Sequence, residues 1–407
     1  MKPINLLQLA KSYEPDLVRF LQSLIQFPSV NGRDSEKAVA ERMMVEAEKL
    51  GLSGEFVAKD PDRPNAVVRW GHGPAKFAII GHSDTVAEGD HSRWSHPPFG
   101  GEVADGRMIG RGASDNKAGI AIGLYLLALI RDHKLLDPNK VQVIVAGVVD
   151  EESGATSTLG VRHLIESGEL DGVKGAIYAY ASDIVCVGHR GSLRLELTAR
   201  GEATHTGLAA WSQGKKGVNA VTGLAAVLLA LEYLDIPAPS HPAFDHLGCT
   251  ITPGTLIQGG AFVSMVPDLA TAAVDIRLMP EQDREEVLKI VQAVIDEVVA
   301  RRPGLTVSTK ITNSFPGAAI PIDHKLAQIA QQQARTFTDK EWPIIGAGAG
   351  NEGYMLIGAG IPTLCGFGPT GGNAHAPDEW VDVASLSTTL ATFAGIVSEY
   401  LVVAEMG

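Results

Sequence analysis

AKFAIIGHSD, residues Ala75–Asp84, begins as an apolar run and ends on a histidine and an aspartate two residues apart. A short run of this kind, bounded by glycine, is typical of a strand buried inside a sheet. A second run, VQVIVAGVV at Val141–Val149, is followed directly by Asp150, Glu151 and Glu152. Functional groups in open α/β sheets collect beyond the carboxyl ends of the strands. The two runs therefore predict a mainly parallel sheet with a polar site at one edge.

Helical patterns alternate with these strands. Apolar spacing predicts helices over Leu6–Phe27 and Ser35–Leu50, and the apolar segment Gly119–Asp132 predicts a third. Another strand-like run lies at Asn65–Trp70, and the same alternation resumes near Ile320. Because short buried strands alternate with helices, we expect the α/β class with a mainly parallel sheet.

The character of the sequence changes after about Val187. SLRLELT at Ser192–Thr198 and part of ATAAVDIRL at Ala270–Leu278 alternate polar and apolar residues, which is typical of antiparallel strands with one exposed face. The alanine-rich stretch Gly217–Leu234 predicts an apolar helix between them, either in the core of this segment or at a dimer face. The segment therefore predicts a smaller α+β domain.

Length and this change of pattern predict two domains. A chain of 407 residues exceeds the usual size of one compact domain. We place a discontinuous α/β domain at residues 1–187 and 316–407, and an inserted α+β domain at residues 188–315.

Composition limits the partners and the compartment. A formal charge of −13 disfavours nucleic acid, since binding phosphates requires a basic surface. The cysteines Cys186, Cys249 and Cys365 are far apart and form no CxxC pattern, which favours free thiols in a reducing compartment. The N-terminal residues have no apolar signal core, and the longest apolar stretch, Gly119–Ile130, is too short to span a bilayer. We expect a soluble, cytoplasmic protein with neither nucleic acid nor membrane as a partner.

Four groups of histidine or carboxylate residues stand where strands are expected to end. They are His82 with Asp84, Asp115 in GRGASDNKAG, Glu151 with Glu152, and His375 in GGNAHAPDE. Each group alone has an ordinary explanation: a structural hydrogen bond for a histidine, a turn or helix cap for the aspartate, a solvated surface for the glutamates. Together they are more informative, because imidazole and carboxylate combined are ligands for zinc, and also for cobalt or manganese.

The spacing within these groups suits a metal centre. An aspartate two residues after His82 can hold the second ring N–H of that histidine, as metal-binding histidines commonly require. Of the consecutive Glu151 and Glu152, one can coordinate a metal while the other acts as a base. Asp115 has two carboxylate oxygens and could bridge two cations.

The motifs together resemble one metallopeptidase family. GHSDTV, GRGASDNKAG, DEESG, the GHRG…ATHTG stretch, VDIR and AHAPDEWV occur in the order and spacing of acetylornithine deacetylase, succinyl-diaminopimelate desuccinylase, aminoacylase and glutamate carboxypeptidase. The similarity extends over roughly Leu21–Val383. It implies a zinc-peptidase-like catalytic domain with an inserted lid and dimerisation domain. It also implies two divalent metal ions per subunit, with zinc expected and cobalt or manganese as alternatives.

The resemblance assigns roles to the four groups. The metal ligands would be His82, Asp115, Glu152 and His375. Among them, Asp115 would bridge the two ions, and Asp84 would orient His82. Glu151 would be the general base that takes a proton from the attacking water and returns it to the leaving amine.

A fifth, acidic ligand opposite His82 is the point at which this chain departs from the family. Relatives usually have Glu-Pro-Thr shortly before the GHRG-like turn, whereas this chain reads YAYASDIVCVGHRG. Asp183 is the only carboxylate between Asp171 and that turn, so we nominate it as the ligand. In a strict alignment Ala179 would occupy the place instead, and Asp183 would merely cap a loop.

The resemblance also implies site residues outside these groups. His205 in GEATHTG matches a histidine that reaches into the partner subunit of a dimer and stabilises an oxyanion; without the resemblance it would be a surface histidine. Arg277 in VDIR matches a clamp for the substrate carboxylate, with a salt bridge at a strand end as the alternative. Ser264 stands where relatives usually have a substrate-contacting Asn, and Asn351-Glu352 stands where many relatives have Asp-Ala, so both positions are expected to bear on substrate choice.

We therefore expect a homodimeric, metal-dependent amidohydrolase. Its predicted substrate is an N-acyl amino acid, or a short peptide, with a free carboxylate. An exopeptidase of the glutamate carboxypeptidase or dipeptidase type is the alternative within the enzyme class, since the same metal centre serves both. A non-catalytic metal- or amino-acid-binding relative is the alternative outside it.

Overall fold

The computed structural model describes residues 5–338 and 340–405, with side chains as far as residue 402. The helices are α1 Leu6–Ile25, α2 Lys37–Lys49, α3 Ala118–Asp132, α4 Val161–Glu166, α5 Ala209–Ser212, α6 Ala220–Glu232, α7 Arg284–Ala300, α8 Lys325–Phe337, α9 Gly353–Gly358 and α10 Val383–Glu405. Those predicted over Leu6–Phe27, Ser35–Leu50 and Gly119–Asp132 are α1, α2 and α3, with ends shifted by one or two residues.

The strands follow the same chain order. They are β1 Ser53–Val57, β2 Asn65–Gly71, β3 Ala75–His82, β4 Glu102–Ala104, β5 Arg107–Ile109, β6 Val141–Val148, β7 Val173–Tyr178, β8 Val185–His189, β9 Gly191–Arg200, β10 Thr204–His205, β11 Thr250–Gly259, β12 Met265–Val266, β13 Leu269–Leu278, β14 Thr306–Phe315, β15 Ala318–Ala319, β16 Ile344–Ala347, β17 Thr363–Leu364, β18 Gly371–Gly372 and β19 Trp380–Asp382.

The central sheet of the first unit has the order β1-β2-β6-β3-β7-β17. Strands β6, β3, β7 and β17 run parallel, and β2 joins them antiparallel to β6. This arrangement confirms the α/β class and the mainly parallel sheet. In the register, His82 lies opposite Val148 and Ile80 lies opposite Tyr178. The carboxyl ends of β6, β3 and β7 therefore meet at one edge of the sheet.

Helix α3 forms much of the core beneath this edge. Every residue from Ala118 to Ile130 is buried, and a fully buried Leu or Ile side chain contributes about 1.5–3 kcal/mol. Gly119, in its first turn, is required by packing, because a Cβ there would lie 2.1 Å from the carbonyl oxygen of Ala179. The helix thereby fixes the backbone that follows β7. The apolar span Ala113–Asp132 is long enough to cross a membrane, but nearly all of it is buried, as expected for a core helix.

The second unit is built on an antiparallel sheet of order β11-β13-β9-β14. Its strand β13 alternates buried and partly exposed residues as predicted, and its buried face packs with α6 and α7. Helix α6 begins at Ala220 rather than Gly217, because the Asn219 side chain accepts from the Thr222 amide and caps it. Residues such as Leu224 and Val227 face the core, whereas Leu229 is 60 % exposed.

Contacts along the chain divide it into two units. The first unit ends at His189 and resumes with Ala319–Ala347 and from Asn351 onward. The second unit is Arg190–Ala318, and the short segment Gly348–Gly350 is grouped with it.

Candidate metal centre

His82 is the fully buried last residue of β3. Its Nε2 atom lies 2.8 Å from Asp115 Oδ1, and its Nδ1 atom lies 3.0 Å from the backbone carbonyl oxygen of Asp84. Because a carbonyl can only accept, Nδ1 carries the proton and Nε2 is the nitrogen presented to a metal. The sequence predicted that the Asp84 carboxylate would hold this N–H, but its Oδ1 is farther away, at 3.6 Å.

The Asp84 carboxylate instead joins the ends of two strands. It is fully buried and accepts hydrogen bonds from the backbone amides of Glu152 at 2.9 Å and Glu151 at 3.2 Å. The Asn31 side chain donates to it as well, at 2.8 Å. Asp84 thus orients the loop after β6 as well as the histidine after β3.

Asp115 lies in an irregular turn, Ala113–Lys117, that leads into α3. Glu379, just before β19, holds this turn in place. Its buried carboxylate accepts from five donors: Arg111 Nη1, the amides of Gly112, Ser114 and Asp115, and the Ser114 hydroxyl. Strand β19 pairs with β5, so the two segments arrive together. The sequence did not predict a role for Arg111 or Glu379, although they stand inside the motifs GRGASDNKAG and GGNAHAPDE.

His375 lies between β18 and β19 with a backbone φ of +62°, in the left-handed region. Its Nε2 atom is 3.2 Å from Glu152 Oε1 and 3.2 Å from Asp115 Oδ2. The structure therefore brings together four of the predicted ligands: His82, Asp115, Glu152 and His375. Glu151 stands beside them and is buried.

The electrostatics of this group favour a bound cation. Hydrogen bonds with Asp115 and Glu152 raise the pKa of His375 to about 10. Burial opposes protonation of His82, yet its hydrogen bond with Asp115 and the nearby Asp84 carboxylate raise its pKa well above the usual range. The carboxylates thus stabilise positive charge at both imidazoles, and a metal ion would replace those protons.

The donor set also fits divalent metals of the zinc type. One ligand atom each from His82, Asp115 and Glu152 lies within 4.8 Å of the others, and imidazole with carboxylate is a donor set that zinc accepts. Burial raises the pKa of Glu151 well above its usual range, and the charge of Glu152 adds to the effect. A carboxylate with a raised pKa beside a metal site suits a general base.

Asp183 is not drawn into this group. Its residue is solvent-exposed, and its carboxylate makes no hydrogen bond or ion pair within residues 5–338 and 340–405. Its role as a fifth ligand stays a prediction that no contact supports. Ala179 is buried and has no donor atom in its side chain. The residue beside His82 is Tyr180, whose ring centroid lies 5.4 Å from that of the imidazole.

Asn351 and Glu352 lie at the start of α9. Asn351 Oδ1 accepts from the Gly353 amide at 2.9 Å, and its Nδ2 donates to the carbonyl of Cys365. The buried Asn351 amide thus supports the backbone, and its predicted contact with substrate stays a prediction. Burial, with the nearby Asp84 charge, raises the pKa of Glu352 to about 8, so this fully buried carboxyl is largely protonated at neutral pH.

In the second unit, His205 and Ser264 are neighbours across the β10–β12 pair. The Thr206 amide donates to the Ser264 carbonyl at 3.0 Å. The exposed His205 ring accepts from the Gly207 amide through Nδ1 at 2.9 Å. The neutral ring therefore carries its proton on Nε2, which is the form able to donate to an oxyanion.

Arg277 lies on β13 and pairs with Asp275 on the same strand. Its Nε donates to Asp275 Oδ2 at 2.8 Å, which is the strand-end salt bridge that the sequence left open. Within the described part of the chain, its two Nη groups make no hydrogen bond. The guanidinium is thus oriented by one edge and can offer the other edge to a carboxylate.

The fold and the cluster of His, Asp and Glu ligands together define a metallohydrolase. Residues 78–399 match Peptidase family M20/M25/M40, and the chain belongs to this family. It is therefore a hydrolase of amide bonds, as the sequence predicted.

Known relatives agree with that membership. The chain is 27 % identical over 411 residues to a succinyl-diaminopimelate desuccinylase of Rhodopseudomonas palustris, covering 95 % of this chain and 98 % of the relative. Its fold matches a tripeptidase of Staphylococcus aureus with a TM-score of 0.75 at 21 % identity, over 95 % of this chain and 98 % of the other. It also matches a Bacillus subtilis dinuclear metal-binding peptidase of the M20 family with a TM-score of 0.71 at 16 % identity. That match covers 96 % of this chain and 99 % of the other.

Proposed function

We propose that this protein removes the acyl group from an N-acyl amino acid by metal-dependent hydrolysis of the amide bond. The observation that carries the proposal is the convergence of His82, Asp115, Glu152 and His375 around one point, with the buried Glu151 beside them. Desuccinylases are prominent among the relatives that align over 95 % of this chain, which favours a deacylase over an exopeptidase.

The chain's own residues supply acid–base chemistry and positioning. Bound divalent ions, of which zinc suits the donors best, would polarise the scissile carbonyl and acidify the attacking water. Glu151 takes the proton of that water and delivers it to the leaving nitrogen. The proton on His205 Nε2 hydrogen-bonds to the carbonyl oxygen as negative charge develops on it. Arg277 holds the substrate carboxylate through its Nη groups.

A panel of substrates tests this function. We expect hydrolysis of at least one N-acetyl, N-succinyl or N-formyl amino acid after loading with Zn²⁺ or Co²⁺, and loss of that activity after removal of the metal with a chelator. Dipeptides and folate-like amides form the second arm of the panel. Faster turnover of that arm would identify an exopeptidase. Inactivity on every compound, with metal bound, would contradict the proposal.

We also assign a homodimer built on the second unit. Leu229 on helix α6 is 60 % exposed, and Tyr233, directly after the helix, is 84 % exposed. The neighbouring edge strand β11 exposes Leu256 at 72 % and Ile257 at 56 %. Several large exposed apolar residues on neighbouring elements support an interface there. The cytoplasmic location is supported by Cys186, Cys249 and Cys365, which are all free thiols.

Mixing two inactive variants tests the cross-subunit role of His205. His205→Ala alone should lower kcat by about 10²–10³-fold, the usual cost of an oxyanion donor. If His205 serves the partner's centre, a randomly reassorted equimolar mixture with Glu151→Gln should regain about a quarter of wild-type activity, because half of the dimers then have one intact site. Absence of any recovery, once reassortment has been verified by mass spectrometry, would place His205 in its own subunit's centre or outside catalysis.

A further inference from the structure

Three neighbouring strands of the central sheet deliver side chains to the metal centre. Strand β6 is followed by Glu151 and Glu152, and β3 ends on His82. Strand β7, on the other side of β3, ends at Tyr178, and the chain continues as Ala179 and Tyr180. The place beside His82 where the family usually has an acidic ligand is therefore reached by the end of β7.

The residue at this place is a tyrosine held in a packed stack. The Tyr180 ring lies tilted by 49° against the His82 imidazole, with centroids 5.4 Å apart. Tyr178 stacks on it at 5.2 Å. The backbone is fixed as well, because the Ala179 amide donates to the Ile80 carbonyl at 2.8 Å and α3 packs against the Ala179 carbonyl. Tyr180 therefore occupies the flank of His82 as part of the fold.

The two halves of the centre then differ in their donors. On one side, Asp115, Glu152 and His375 meet, which gives three protein ligands and two negative charges. On the other side, His82 directly contacts the shared Asp115. An oxygen of Glu152 also lies within 4.8 Å, but that carboxylate already faces His375. A catalytic zinc ion usually has three protein ligands, and a neutral phenol is a far weaker donor than a carboxylate.

We propose that Tyr180 replaces the fifth metal ligand and makes the centre asymmetric, with one ion held tightly by Asp115, Glu152 and His375 and the second held weakly at His82. This inference rests on the proposed function and concerns metal binding itself. Loss of a residue that merely hydrogen-bonds to a metal ligand lowers metal affinity by about 10–100-fold. Loss of a direct carboxylate ligand should therefore lower the affinity for the second ion by at least about 100-fold.

Equilibrium dialysis of the full chain against buffers of fixed free Zn²⁺, with metal counted by mass spectrometry, tests this. The wild type should show two steps separated by at least about 100-fold in free Zn²⁺. Tyr180→Glu should shift the second step to lower free Zn²⁺ by at least about 10-fold and leave the first unchanged. Two equally tight ions in the wild type, or an unshifted second step in a folded Tyr180→Glu, would overturn the inference.

Two matched variants exclude other ligands. Tyr180→Phe removes only the hydroxyl and should leave both steps in place, whereas loss of a step would make the tyrosine itself a ligand and overturn the inference. Asp183→Asn should also leave both steps in place; loss of one would restore Asp183 as the ligand. These variants and the wild-type isotherm decide the matter even if Tyr180→Glu does not fold. A wild type that binds no zinc at all would overturn the proposed function as well, whereas two equal ions would leave it standing.

Discussion

Glu151→Gln should lower kcat by about 10²–10⁴-fold and leave the metal content of the protein unchanged. The glutamine keeps the size of the buried side chain but cannot take a proton from water. The structure gives a reason for retained metal, since the contacts that join the four ligands are made by Glu152 and not by Glu151. Steady-state kinetics on the metal-loaded variant, with metal counted in the same sample, is the measurement.

Glu152→Gln provides the contrast for this prediction. Its carboxylate lies 3.2 Å from His375 Nε2, so the neutral amide should reduce metal content together with activity. Full activity in Glu151→Gln would remove the glutamate from the mechanism. Lost metal in Glu151→Gln, with metal retained in Glu152→Gln, would mean that the roles of the two glutamates are exchanged.

Glu379→Gln should destabilise the protein by about 3–5 kcal/mol, because it leaves the buried Arg111 without its counter-charge. The carboxylate now accepts hydrogen bonds from three backbone amides and a hydroxyl. In the glutamine variant an NH2 group would face some of these donors, and hydrogen bonds would be lost. Metal content should fall in the folded fraction, since the turn that carries Asp115 loses its support. Denaturant unfolding followed by circular dichroism, on wild type and variant, measures the change in free energy of unfolding.

Glu341→Gln is the matched control. Glu341 also pairs with an arginine, Arg335, but the two side chains are 80 % and 49 % exposed. Exposed pairs contribute about 0–1 kcal/mol, so this variant should unfold nearly as the wild type does. Equal effects of the two substitutions would show that burial of the Arg111–Glu379 pair has no bearing on stability.

The sequence was informative wherever the evidence was local. Apolar runs identified β3 and β6. Because functional groups collect at the carboxyl ends of strands in such sheets, His82, Glu151 and Glu152 could be found from the pattern alone. Asp115 and His375 were also predicted to follow strands, but the structure places both in turns, and it was the resemblance that assigned their roles as ligands.

The parts that were missed depend on contacts between distant segments. Arg111 and Glu379 are 268 residues apart, and nothing in either motif indicates that they meet. Tyr180 could not be recognised because an aromatic residue after an apolar strand is usually core, and only the pairing of β7 with β3 brings it to His82. The use of the Asp84 carbonyl rather than its carboxylate follows from backbone geometry that residue type does not encode.

The buried ion pair between Arg111 and Glu379 has a consequence for folding during translation. Proteins begin to fold from the N-terminus while still on the ribosome. In this chain, strands β3 and β6 are synthesised long before Glu379, which lies 268 residues after its partner Arg111. A nascent polypeptide stalled before residue 375 has the polar ends of β3 and β6 but lacks both His375 and the carboxylate that steadies the Asp115 turn. We therefore expect truncated translation products of this gene to lack hydrolase activity, however well their sheet is formed.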